Sequence, residues 1–315
     1  MKTLQTFFSG GPIDRSSLLR KHPAELSKAA RAPESRFVAL WQSQCLIDKG
    51  RAVYLRREEL GSGWADDQLI YLGLRGAEHL FAIELPRQLP DNGPVEERFA
   101  NFRRLLGGVS AADAAVLAYA KGMLEWHRRH QYCGVCGAPN TATEGGFVMT
   151  CSREACGQRC FPRVDPAIIV LVVHRDRCLL GHQAGWPDGR YSTVAGFAEP
   201  GESLEDAVAR EVHEETNIRV GACRYLGSQP WPFPSAMMIG FHAEALSTDI
   251  RLNDAELADA GWFTREQIAA GEVVLPPEAS IAFQLIAAWF DQWEGPDLAS
   301  LSLSGDFSRS STPSS

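Results

Sequence analysis

Glu211, Glu214 and Glu215 stand at positions i, i+3 and i+4, which on a helix share one face. Three like charges on one face repel each other unless a cation sits among them. Carboxylate oxygens in such a cluster suit Mg²⁺ or Mn²⁺, which keep several waters and share phosphate ligands. The ordinary alternative is a solvated charged face, and an Arg210–Glu214 pair at i+4 explains part of the cluster that way.

A second group is built from sulfur. The chain has eight cysteines, five of them between positions 133 and 160. Cys133-Gly-Val-Cys136 is one close pair, and Cys151 and Cys156 form another. Four thiolates at about 2.3 Å suit a tetrahedral Zn²⁺, and a closed sulfur shell makes that zinc structural. Cys160 competes for the fourth position; Cys156 is preferred because the shorter spacing closes a tighter knuckle. Clustering of this kind favours a metal site in a reducing compartment over a disulfide framework.

The carboxylates sit in a longer pattern. Gly196, Glu202 and Arg210-Glu211-Val212-His213-Glu214-Glu215 together resemble the Nudix box. Asn217 stands where the family has a glycine; that position ends the helix in a left-handed conformation, which asparagine also adopts. The resemblance implies a loop-helix-loop holding divalent metals against a diphosphate, with Glu211, Glu214 and Glu215 as metal ligands. It implies Glu214 or Glu215 as the base that activates water, and Glu202 as an orienting residue paired with Arg210.

Ser228-Gln-Pro-Trp-Pro-Phe-Pro-Ser235 follows the box. Alone it reads as a stiff aromatic strip for docking a partner. After a Nudix box it resembles the SQPWPFPxS array of NADH pyrophosphatases, with Ala236 in place of the last serine. The same subfamily carries a four-cysteine zinc ribbon directly before the catalytic domain. The resemblance implies substrate contacts from Gln229, Pro230, Trp231, Pro232, Phe233, Pro234, Ser235, Ala236 and Ala282, with Phe161 against adenine. It also implies Ala195 and Glu256 as further metal positions. The implied reaction is hydrolysis of NAD(H) at its pyrophosphate to nicotinamide mononucleotide and AMP. Broader hydrolysis of ADP-ribose, removal of NAD caps from RNA, and a non-catalytic nucleotide-binding module are the alternatives.

These residues need elements to hold them. An apolar run at 167–173 reads as a buried strand, 178–181 and 191–195 as shorter ones, and 203–216 as a helix opened by a Ser203/Asp206 capping box. Strands are expected near 218–220, 224–226 and 237–245, short helical pieces at 255–261 and 265–269, and a last helix over 280–293. The fold class is α/β: a Nudix αβα sandwich with a mixed sheet at 163–294, preceded by a zinc ribbon at 131–162 and an α/β domain at 1–130. In that first domain RFVALWQSQCLI, RAVYLR, QLIYLGL and HLFAIEL read as strands and 111–129 as a helix. It carries no chemical motif, and no internal repeat is visible. The serine-rich tail at 295–315 is expected to be disordered.

At 315 residues, 45% of them hydrophobic, the chain can bury more than one core. Its formal net charge of −8 argues against extended nucleic-acid contacts, although His127-Arg128-Arg129-His130 is a small basic stretch. An acidic protein acting on anions needs metal ions, or local arginines and lysines, to offset repulsion. No long apolar run suggests a membrane span, and the expected location is the cytoplasm. A homodimer is implied by the family resemblance.

Overall fold

The computed structural model describes residues 4–86, 99–105, 108–253 and 256–301. They fall into two compact units, one of residues 8–164 with 231–235, the other of 1–7, 165–230 and 236–315.

The first unit opens with α1 (Pro23–Ala30) and a sheet of β1 (Arg36–Trp41), β2 (Gln44–Asp48), β3 (Arg51–Ala52), β4 (Ile70–Arg75), β5 (Glu78–Glu84) and β6 (Phe99–Ala100). The order is β3-β2-β1-β5-β4, with β6 on β2. RFVALWQSQCLI is two strands, not one. Gln42 and Ser43, at φ 50° and 60°, form the two-residue turn that pairs Trp41 with Gln44. Neither is the Asn or Gly that announces such a turn. β1 and β5 are parallel, and their partners Phe37 and Phe81 stack at 5.6 Å. Helix α2 (Ala111–Arg129) keeps the predicted bounds; Ser110 Oγ accepts the Asp113 amide at its start.

A three-stranded ribbon follows, made of β7 (Asn140–Thr143), β8 (Val148–Cys151) and β9 (Arg159–Cys160).

The second unit is built on β10 (Asp165–His174), β11 (Arg177–Gln183), β12 (Val194–Phe197), α3 (Leu204–Thr216), β13 (Val220–Trp231), β14 (Ala236–Ala245), β15 (Leu257–Thr264), α4 (Arg265–Ala269) and α5 (Ile281–Phe290). The sheet is mixed, in the order β13-β14-β10-β11-β15 with β12 on β10. Alternation along β10 sorts its side chains between two cores. Ile168, Val170 and Val172 meet Ala207, Val208 and Val212 of α3. Ile169 and Leu171 meet Ile281, Leu285 and Ile286 of α5. The result is the expected αβα sandwich, in which each buried leucine or isoleucine contributes about 1.5–3 kcal/mol.

Three expectations change. The strand placed at 191–195 is β12, later by a few residues. The strands expected near 218–220 and 224–226 are one strand, β13. Residues 256–261 are not helical: from Leu257 they join β15 and pair with β11, while 254 and 255 lie outside the described residues. The Ala- and Glu-rich composition favours helix, but the free edge of β11 overrides that weak preference. Part of the stretch expected to be disordered is structured. A short turn covers Leu298–Leu301, Leu298 is fully buried and its amide donates to Asp291 Oδ1 at 2.9 Å. Residues 302–315 lie outside the described residues.

Candidate active site and zinc ribbon

Helix α3 starts on the predicted capping box: Ser203 Oγ accepts the Asp206 amide, and Asp206 Oδ2 accepts the Ser203 amide, both at 3.1 Å. It ends at Asn217 in the left-handed region (φ 63°, ψ 6°), whose amide donates to the His213 carbonyl at 2.8 Å. The glycine's task in the box is therefore done by asparagine.

Arg210 organises the loop before the helix. Its Nε and Nη2 bind the two Glu202 oxygens at 2.6 and 3.0 Å, and Nη2 also donates to the Phe197 carbonyl at 2.9 Å. Glu202 Oε2 in turn accepts the Glu199 amide at 2.9 Å. The Arg210 guanidinium first, then the Glu199 amide, hold the Glu202 carboxyl down to about 2. The expected orienting role of Glu202 matches this geometry.

From Nη1 the same guanidinium reaches Glu211 Oε1 at 2.9 Å and Glu214 Oε2 at 3.0 Å. The face predicted to carry three equivalent carboxylates is graded: side-chain exposure is 53% at Glu214 and 14% at Glu211, and Glu215 is buried. Burial first, with the charges of Glu214 and Glu256 adding and Arg210 opposing, pushes the Glu211 carboxyl above its ordinary range. Glu256 itself is exposed, just before β15. Charged carboxylates held at a partly buried face are costly without a cation. Carboxylate oxygens are the ligand type a hard divalent ion takes, although the oxygens of Glu211, Glu214, Glu215 and Glu256 are not drawn together as a set here; Gly196 lies close against Glu211, where a Cβ would be 1.9 Å from the carboxyl carbon. Ala195, next to it in β12, is half-buried and pairs with Ile169.

Several expected substrate contacts are spoken for. Gln229 is fully buried. Its Nε2 donates to the Phe7 and Ala279 carbonyls at 3.1 and 2.8 Å, and its Oε1 accepts the Ile281 amide that opens α5. A saturated, buried amide of this kind staples the fold. Ala282 and Ala236 are buried as well. Ala282 packs in the core around α5. Pro232 is also buried; Trp231, Phe233, Pro230 and Ser235 are half-buried, and Pro234 is exposed. Phe161 is 52% exposed, with the Arg159 guanidinium 5.5 Å over its ring.

Among the described residues one set of thiol, imidazole and carboxylate ligand atoms converges: Cys133, Cys136, Cys151 and Cys156, all within 4.8 Å of one another. Sulfurs 2.3 Å from a tetrahedral zinc lie about 3.8 Å apart; Cys133–Cys156 is 3.8 Å and Cys136–Cys151 is 3.4 Å. Cys160 lies outside the set. Each knuckle closes on a glycine at positive φ, Gly137 and Gly157, and the Val135 and Cys136 amides hold the Cys133 thiol at about 7. The residues fit a structural zinc. The nearby basic stretch is tied down: Arg128 and Arg129 both bind the buried Glu125. His127 Nε2 contacts the Gly146 carbonyl at 2.6 Å, and burial lowers its pKa.

Three family models match the chain in succession: a NADH pyrophosphatase-like rudimentary NUDIX domain at 34–126, a NADH pyrophosphatase zinc ribbon at 128–161 and a NUDIX domain at 163–288. The NAD-capped RNA hydrolase NudC of Mycobacterium bovis is 34% identical over 263 residues, covering 79% of this chain and 83% of that protein. The chain belongs to the Nudix hydrolases, in their NADH pyrophosphatase branch. The NAD-capped RNA hydrolase NUDT12 of Homo sapiens is 44% identical over 192 residues, 56% of this chain but only 42% of that Nudix protein. The NudC of Pseudomonas fluorescens is 45% identical over 171 residues, 54% and 60% of the two chains. The match at 34–126 agrees with an NADH pyrophosphatase-like first domain and makes it a rudimentary NUDIX domain, a likeness to 163–288 that the sequence does not display as a repeat. No described helix is long and apolar enough to cross a membrane.

Proposed function

We propose that this protein hydrolyses the pyrophosphate bond of NAD(H), giving nicotinamide mononucleotide and AMP. The observation that carries the reading is the graded carboxylate face of α3, with Glu211 seated on Gly196 and Arg210 chelated by Glu202. Glu211, Glu214, Glu215 and Glu256, with the Ala195 carbonyl, would hold Mg²⁺ or Mn²⁺. When bound, such ions neutralise the diphosphate charge and lower the pKa of a water. Arg210 bridges Glu211 and Glu214 and offsets their repulsion, and Glu202 holds Arg210 in place. The base that accepts the proton of the attacking water is Glu214 or Glu215. Trp231 and Phe233 offer ring faces for a base, and Phe161 another.

The test is release of AMP from NADH. Wild type should turn over with Mg²⁺ or Mn²⁺ and stop with chelator, and Glu215→Gln should lose at least about 100-fold in kcat. A wild type silent under both metals would leave a nucleotide-binding module instead.

The relatives named NAD-capped RNA hydrolases favour NAD-capped RNA as a second substrate. The net charge of −8 and the tied-down stretch at 127–130 weigh against broad RNA contacts. Turnover of capped RNA that falls steeply with salt, while NADH turnover does not, would mark phosphate contacts beyond the cap.

A further inference from the structure

Two guanidinium groups near the start of the chain converge on one phenol. Arg20 Nη2 donates to the Tyr119 hydroxyl at 3.2 Å and to the Arg15 carbonyl at 2.9 Å. Arg15 contacts the same hydroxyl, and its guanidinium lies 4.0 Å over the Tyr119 ring. The Arg20 guanidinium lies 3.4 Å over the ring of Phe147, between β7 and β8 of the ribbon. Tyr119 belongs to α2, so the two arginines join the first domain to the zinc ribbon. All of these residues lie within the unit of residues 8–164.

The protein does not balance this charge. Among the described residues neither Arg15 nor Arg20 makes an ion pair. Acids close by in the chain are engaged elsewhere: Asp14 Oδ1 accepts the Ser16 amide at 2.9 Å, and Glu144 binds Arg159. An arginine has five N–H donors, yet Arg20 bonds through Nη2, and its buried Nε has no hydrogen-bond partner among the described residues. Burial first, and the Arg15 charge with it, lowers the Arg20 pKa from its ordinary value, against the opposing pull of Tyr119 and Tyr71. Two cations held together at a half-buried position are costly unless an anion joins them. The Tyr119 oxygen accepts from Arg20 and keeps its own proton to donate. In a chain of net charge −8, such a local concentration of positive charge draws small anions.

We propose that Arg15, Arg20 and Tyr119 form a binding site for a compact phosphate-type oxyanion. Arg15 is exposed and gives access from solvent. The Arg20 fork, laid flat on Phe147, supplies donors that are already ordered. The group recognised is the phosphate itself, either free or as the monoester end of a mononucleotide. Occupancy ties the ribbon to the first domain, since Arg20 packs on Phe147 and bonds to Tyr119. The inference stands apart from the hydrolase reading and uses none of its residues.

The experiment titrates full-length, zinc-loaded protein with sodium phosphate by calorimetry, with no Mg²⁺ or Mn²⁺ added and ionic strength fixed with chloride. Wild type should bind a single phosphate per chain, and its melting temperature should rise with phosphate but not with matched chloride. Arg15→Gln, at an exposed position, should keep the wild-type melting temperature in chloride and weaken phosphate binding at least about tenfold. Arg20→Lys keeps the charge but loses the fork, and should weaken binding as well. AMP is titrated in parallel. AMP affinity lost in Arg15→Gln names the monoester as the source; phosphate affinity alone lost there names the free ion. Absence of phosphate binding by wild type at about 10 mM overturns the inference. Equal affinity in wild type and folded Arg15→Gln also overturns it, and marks an adventitious ion only.

Discussion

Gly196 and Glu211 occupy the same space but for one missing carbon: a Cβ at position 196 would lie 1.9 Å from the Glu211 carboxyl carbon and 2.0 Å from Oε1. The strand β12 and the helix α3 approach that closely because one of the two residues has no side chain. Gly196 also pairs with Ile168 in the sheet, so the backbone cannot step aside.

Gly196→Ala should therefore separate stability from chemistry. The group displaced is the far end of a flexible side chain, so the fold should lose no more than about 1 kcal/mol. The carboxylate must leave the seat where Arg210 Nη1 holds it at 2.9 Å, and an error of about 1 Å at such a group costs on the order of 100-fold in rate. Thermal melting and kcat/KM for NADH measure the two effects. A variant with near wild-type kcat/KM would show that Glu211 has no fixed role.

The Glu202–Arg210 pair gives the loop a signature in acid. In the folded chain Glu202 is held at about 2, by Arg210 first and the Glu199 amide second; unfolded, it returns to about 4.3. Because the folded value is the lower one, its stabilisation is complete above the unfolded value and disappears as pH falls from about 4 to 2. Glu202→Gln should melt below wild type at pH 7, and the two melting temperatures should converge near pH 2. A gap that stays constant across that window would mean the carboxylate contributes through packing and not charge.

Asn217 tests the only departure inside the box. At φ 63° a residue with an ordinary side chain costs about 1–2 kcal/mol, and Asn217 Nδ2 adds a bond to the Asp249 carbonyl at 3.2 Å. Asn217→Ala should lower stability by roughly 1 kcal/mol, read as a drop in melting temperature. Asn217→Gly should stay close to wild type, since it gains freedom at φ and loses the amide bond. Equal losses in both variants would place the cost in the side-chain bond alone.

What the sequence disclosed was local. Ser203 with Asp206, Arg210 with Glu214, and Asn217 at the helix end act within one helix, where spacing fixes who meets whom. The cysteine set was legible because two close pairs bound one loop. The graded burial of Glu211, Glu214 and Glu215 was not, since a helical face says nothing of what the sheet covers. The setting of Gln229 was hidden for a related reason: a polar residue in a recognition motif suggests a ligand, whereas its amide bonds to Phe7, 222 positions away, and to the start of α5. Arg15 and Arg20 had no motif at all, and only the folded chain brings them to Tyr119.

Cys156 and Cys160 were rivals for the fourth sulfur, and metal content decides between them in solution. The four sulfurs of Cys133, Cys136, Cys151 and Cys156 converge within 4.8 Å, so wild type should hold one zinc per chain. Cys136→Ser removes one ligand from a closed shell. Zinc content should fall well below one per chain, and the ribbon should melt earlier, because metal binding and folding of such modules are one equilibrium. Cys160→Ser should keep its zinc and its melting temperature. Zinc retained at one per chain in the first variant, or lost in the second, would overturn the ligand set. A drop in NADH turnover of Cys136→Ser that zinc addition does not restore and melting does not explain would give the ribbon a part in the reaction beyond holding its fold.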